Sequence, residues 1–128
     1  MNLTTPAIEV NKSQEDLYHF LTDFNNFEQL MPENTDKFEI TDTGFLFALK
    51  GMPTIKLKLQ EKVPFSKIVL ASASEQFPFT LTTNIKDANG KATANFEFEG
   101  KFNPMITMMV KKPLQKFVDT LSSNLQKL

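Results

Sequence analysis

The sequence predicts an α+β fold in which a curved seven-stranded antiparallel β-sheet wraps around one long C-terminal helix. Three observations carry this. From Asp36 to Phe102 the apolar residues recur with a period of two, the pattern of a sheet covered on one face. From Pro104 to Leu128 the spacing becomes helical, and Ile106, Val110, Leu114, Phe117, Leu121, Leu125 and Leu128 form one apolar stripe. Turn chemistry separates the strands, most clearly at Asp87-Ala88-Asn89-Gly90, because Asn-Gly readily adopts positive φ.

Taken in order, Thr4 to Val10 reads as a first strand, with Ile8 and Val10 on one phase. Ser13 then caps a helix that has Glu15 and Asp16 in its first turn, favourable to the helix dipole. Leu17, Phe20, Leu21 and Phe24 make its buried face, and Phe27, Leu30 and Met31 repeat that spacing over a short second helix. Pro32 ends it, since the residue before proline leaves the helical region.

Phe38 and Ile40 alternate with Lys37 and Glu39 in the next strand, and Asp42-Thr43-Gly44 turns it. Phe45 to Lys50 is a nearly continuous apolar strand, broken by Gly51-Met52-Pro53. In Thr54 to Val63, Ile55, Leu57 and Leu59 face one way and Lys56, Lys58, Gln60 and Lys62 the other. Strands from Lys67 to Ser74, Phe79 to Lys86 and Ala92 to Phe102 complete the order β-α-α-β-β-β-β-β-β-α. No linker or repeat interrupts it, so residues 1–128 form one domain.

Composition excludes several functions. With no cysteine there are no disulfides, thiolate metal sites or cysteine nucleophiles. All 14 basic residues are lysine against 15 acidic ones, which argues against nucleic acid, where arginine is the favoured reader. The start, Met1 to Pro6, has neither a basic region nor an apolar run, and no apolar cluster reaches membrane-spanning length. The expectation is a cytoplasmic protein without stable membrane insertion. Aromatic usage is lopsided: 13 Phe, one Tyr and no Trp, with six Met. That suits an apolar cavity, or simply a Phe-rich core.

Two segments resemble a known family. Val10 to Pro32 (V-N-K-S-Q-E-D-L-Y-H-F-L-T-D-F-N-N-F-E-Q-L-M-P) is similar to the opening of the START-like, helix-grip superfamily (SRPBCC), which includes polyketide cyclases and birch-allergen-type proteins. Phe102 to Phe117 (F-N-P-M-I-T-M-M-V-K-K-P-L-Q-K-F) resembles that family's final helix. The resemblance spans essentially the whole chain and implies a sheet gripping the helix around a site for an apolar ligand such as a lipid, quinone or polyketide. Its motifs are structural, its members range from binders to enzymes, and no shared catalytic motif carries over.

Candidate ligand contacts come from the inward phases: Phe45, Phe47, Leu57, Leu59, Leu81, Phe96 and Phe98, with Met105, Met108 and Met109 from the helix. Met105 to Val110 is apolar nearly all round, and Pro113 removes the amide that would bond the Met109 carbonyl, so a kink or break is expected there. The three methionines either pack beneath the small helices, line a ligand entrance or form a homodimer patch.

Catalytic candidates are few. Glu61 continues the phase of Leu57 and Leu59, so it faces the cavity unless a bulge turns it outward. Tyr18 sits at the stripe's margin, its ring packed and its hydroxyl wet, with a place at the cavity mouth as the alternative. His19, the single histidine, projects away from the buried face, and Glu97 and Glu99 lie on an outward phase. Ser72, Ser74 and Thr83 offer hydroxyls to a cavity. No Gly-rich phosphate loop, Gly-x-Ser-x-Gly elbow or histidine cluster is present, so no cofactor is expected. A non-catalytic binder is favoured. The rivals are a cyclase or dehydratase needing neither metal nor nucleotide, and an interaction module whose interior is simply filled.

Overall fold

In the computed structural model, which describes residues 1–73 and 78–128, a single antiparallel sheet grips a long C-terminal helix. The chain opens with β1 (Asn2–Thr4) and β2 (Ile8–Val10), both paired with β8 (Lys91–Gly100). Where one strand is expected, Thr5-Pro6-Ala7 divides it in two, because proline has no amide for the ladder. Thr5 bridges the gap: its amide donates to the Phe96 carbonyl at 3.0 Å, and its buried hydroxyl accepts from the Phe96 amide at 2.9 Å.

α1 (Gln14–Thr22) begins where the Ser13 hydroxyl accepts from the Asp16 amide at 3.1 Å, and it buries Leu17, Tyr18 and Leu21. It stops two residues short of Phe24. The Asp23 carboxylate accepts from the Asn25 amide at 3.2 Å and starts a separate 3₁₀ helix, Phe24–Leu30, which buries Phe27 and Leu30.

The remaining strands are β3 (Thr35–Ile40), β4 (Gly44–Leu49), β5 (Ile55–Val63), β6 (Lys67–Ser72) and β7 (Phe79–Ala88). The sheet runs β1-β8-β7-β6-β5-β4-β3. Each inward phase read from the sequence lands on the same face: Phe45 opposite Leu57, Leu59 opposite Leu70, Leu70 opposite Leu81, Leu81 opposite Phe98. The β7–β8 hairpin turns at Asn89 (φ 57) and Gly90 (φ 89), the left-handed conformations that Asn-Gly supplies. Gly44 is needed for a different reason. A Cβ there would overlap the carbonyl oxygen of Leu57 on the neighbouring strand.

α2 (Pro104–Gln126) crosses the inward face. Its N-cap is Asn103, whose side-chain oxygen accepts from the Ile106 amide at 2.9 Å, with Pro104 in the first turn. Beyond Pro113 it buries Leu114, Phe117, Val118, Leu121 and Leu125, each contributing about 1.5–3 kcal/mol. Near its far end the Asn124 side-chain amide donates to the Leu30 carbonyl at 2.9 Å, tying the helix to the 3₁₀ segment. The break expected at Pro113 does not occur, and the helix continues through it with one amide fewer. No helix of the described residues is long and apolar enough to cross a membrane.

Candidate functional site

Pro113 marks a change in how α2 is held. After it the helix is embedded in the core; before it no side chain is fully buried, and Ile106 and Val110 are only half-covered. Met105, Met108 and Met109 are 73%, 83% and 70% exposed, so they do not pack beneath the small helices. Beside this part of the helix a space opens.

The space is a cleft of about 660 Å³ between the first four turns of α2 and the loop joining β4 to β5. Ile106, Met109, Val110, Pro113 and Phe117 form the helix wall, and Met52, Pro53, Leu49 and Pro32 form the wall opposite. Two backbone bonds hold that loop: the Lys50 amide donates to the Asn34 carbonyl at 2.8 Å, and the Met52 amide to the Leu49 carbonyl at 2.9 Å. Gly51, at φ 83, provides the left-handed residue that lets the loop turn.

A second cavity of about 280 Å³ lies deeper, between the sheet and α2. Ile55, Phe79, Phe98, Phe102 and Leu114 surround it, and Ser72 places a polar side chain in its wall. Met52, Pro53 and Val110 line both spaces, so the two adjoin. The larger groove of about 790 Å³ is of another kind. It lies on the sheet face turned away from α2, among Lys58, Gln60, Thr80 and Glu99, and is solvated.

The polar inventory of the cleft is one-sided. Lys50, Lys112 and Lys116 stand around it with Asn34, and Lys56 lines the inner cavity, while among the described residues no acidic side chain lines either. Pro113 also lacks the amide that would otherwise bond the Met109 carbonyl.

Of the residues expected to contact a ligand, Phe98 lines the inner cavity and Met109 the cleft. Phe45, Phe47, Leu57, Leu81 and Phe96 are buried in the core, and Leu59 is packed against it. There the aromatic rings pack on one another: Phe27 stacks on Phe45 at 5.0 Å and Phe47 on Phe117 at 4.9 Å. Met105 and Met108 line neither cavity. The residues not anticipated are Met52, Pro53 and Val110. Their signal in the sequence was an apolar Met-Pro pair inside a turn, facing the part of the helix that is apolar all round.

The catalytic candidates are elsewhere. A register shift between Leu59 and Glu61 inserts one extra residue in β5, so Glu61 turns outward and pairs with Lys67 at 3.7 Å. Its side chain is 52% exposed. Tyr18 is buried on α1, edge-on to Phe65 with ring centroids 5.4 Å apart, and lines neither cavity. His19 is exposed, 3.8 Å from Glu15. Thr83 is buried in the core, and Ser74 lies outside the described residues.

No family model matches the chain, and no curated protein does. Solved structures match along its full length. XoxI from Bacillus cereus superposes with a TM-score of 0.76 at 15% identity, covering 98% of this chain and 93% of that one. A Thermus thermophilus protein gives 0.72 at 10% identity, covering 99% and 95%. A START superfamily protein from Mycobacterium smegmatis gives 0.66 at 12% identity, covering 98% and 97%. At such identities the likeness is one of backbone, and it agrees with the sheet order and the crossing helix: the chain has the START-like, helix-grip fold.

Proposed function

We propose that this protein binds an apolar small molecule, such as a lipid, quinone or polyketide, in the cleft between α2 and the β4–β5 loop. The observation that carries this reading is the 660 Å³ cleft itself, walled mainly by apolar side chains and backed by a further 280 Å³ toward the sheet. Sites for small molecules are typically about 300–1,000 Å³, largely apolar, with a few polar groups. The START superfamily neighbour has the same fold, which supports a ligand-binding role.

A cyclase-type reading has less to stand on, since neither Glu61 nor Tyr18 lines the cleft. A filled-interior module matches the Phe27–Phe45–Phe47–Phe117 end of the core but leaves the opposite end unexplained. A homodimer through Met105 and Met108 is separable by native mass spectrometry, which on the small-molecule reading returns a monomer. The binding test is a thermal shift across fatty acids, quinones and aromatic polyketides. At least one class raises Tm by linkage; a diverse panel that leaves Tm fixed overturns the proposal.

A further inference from the structure

Among the described residues, no carboxylate pairs with Lys50, Lys112 or Lys116 around the cleft. Among the described residues the ion pairs are Glu15 with His19, Lys37 with Glu39, Lys67 with Glu61 and Lys91 with Glu9. None engages Lys50, Lys112 or Lys116, and all three line the cleft. Glu33 and Asp36, the acidic residues closest in sequence to Asn34, do not line it. Along α2 there is no acidic side chain before Asp119, so the helix wall carries Lys112 and Lys116 uncompensated. Among the described residues, the charged side chains lining this largely apolar cleft are thus all cationic, in a protein of formal net charge −1. Cations beside low-dielectric walls attract anions more strongly than cations in open water.

The apolar space has a direction as well. From the rim it runs past Met52, Pro53 and Val110 to the ring of Phe79, Phe98 and Phe102, where no lysine other than Lys56 lines the wall. One end is charged and wet, the other aromatic.

Resting on the reading that the cleft binds an apolar molecule, we propose that its ligand is an anionic amphiphile. A single apolar tail lies along α2 toward Phe98, and a carboxylate or phosphate head sits among Lys50, Lys112 and Lys116. Both head groups present the same chemistry, a compact anion accepting charge-assisted hydrogen bonds from ammonium groups.

Calorimetric titration of the full chain tests this with dodecanoate, dodecyl phosphate, dodecanol and dodecyltrimethylammonium, each below its micelle concentration. The two anions bind about tenfold or more tighter than dodecanol, an advantage that shrinks as salt is added. Whichever anion binds tighter identifies the head group as carboxylate or phosphate. In the Lys50→Gln/Lys112→Gln/Lys116→Gln variant the anion advantage over dodecanol collapses, while the circular dichroism spectrum shows the fold intact. Equal binding of anion and alcohol, a preference for the ammonium probe, or a variant that keeps the anion advantage overturns the head-group assignment but leaves the cleft a binding site. If none of the four binds, the cleft reading fails and takes the assignment with it.

Discussion

The rings of Phe47 and Phe117 stack with centroids 4.9 Å apart and 15° between their planes, and Phe117 is also a wall of the cleft. This pair is where the filled interior stops and the open part begins. On one side, the rings of Phe27, Phe45 and Phe47 pack on one another, with successive centroids 5.0 and 6.2 Å apart. On the other, α2 buries no side chain before Leu114, and Ile106 and Val110 are half-covered.

That boundary predicts an uneven response of α2 to truncation. Phe117→Ala removes a buried ring and its stacking on Phe47, and should lower stability by about 3–5 kcal/mol. Met108→Ala, at 83% exposure, should change it by no more than about 0.5 kcal/mol. Urea unfolding of the two variants measures both.

Filling the cleft should separate binding from folding. Val110 belongs to both cavities and is half-buried, so Val110→Trp places a ring in open volume rather than in a packed core. For a ligand at a hundredfold its Kd, linkage stabilises the wild type by about 2.7 kcal/mol. That is a rise of roughly 5–20 °C for a domain in this size range. The variant should keep a wild-type spectrum and lose the ligand-dependent rise, read by differential scanning fluorimetry.

Two glycines should differ in kind. Gly44→Ala drives a Cβ into the Leu57 carbonyl between paired strands, an overpacking cost of about 1–3 kcal/mol. At Gly51 nothing lies within 4 Å, and the cost is the left-handed backbone alone, about 1–2 kcal/mol. Denaturant midpoints measure both costs, and a ligand titration separates them, because only Gly51 lies on the cleft loop.

Glu61→Gln tests the outward turn in β5. An exposed pair such as Glu61–Lys67 is worth about 0.2–1 kcal/mol, so the variant should unfold close to wild type. Ligand-induced shifts should match wild type for this variant and for Tyr18→Phe, since neither residue reaches the cleft.

The architecture was legible because periodicity reports which face of an element is covered. Ile55, Leu57 and Leu59 alternate, and so they point inward. Periodicity is blind to a one-residue insertion, and the shift after Leu59 sends Glu61 outward against its phase. Pro6 did carry a warning that the first strand divides, since it cannot donate to the ladder. The cleft was only half legible. Met105 to Val110 announced a segment with unusual surroundings, yet exposure of Met105 and Met108 against lining by Met109 depends on where the β4–β5 loop rests. Loop placement follows from sheet curvature, a property of all the strands together rather than of a local spacing. Inward phase likewise marks Phe45 and Phe96 as interior without separating a packed interior from a hollow one.

The six methionines supply the most direct test, because they sample the cleft and its surroundings separately. Methyl-labelled methionine spectra, recorded during titration with dodecanoate and again with dodecanol, read each position at once. Binding in the cleft moves the Met52 and Met109 methyl signals, and leaves Met1, buried Met31 and exposed Met105 and Met108 in place. Shifts at Met105 and Met108 with Met52 unmoved would contradict it.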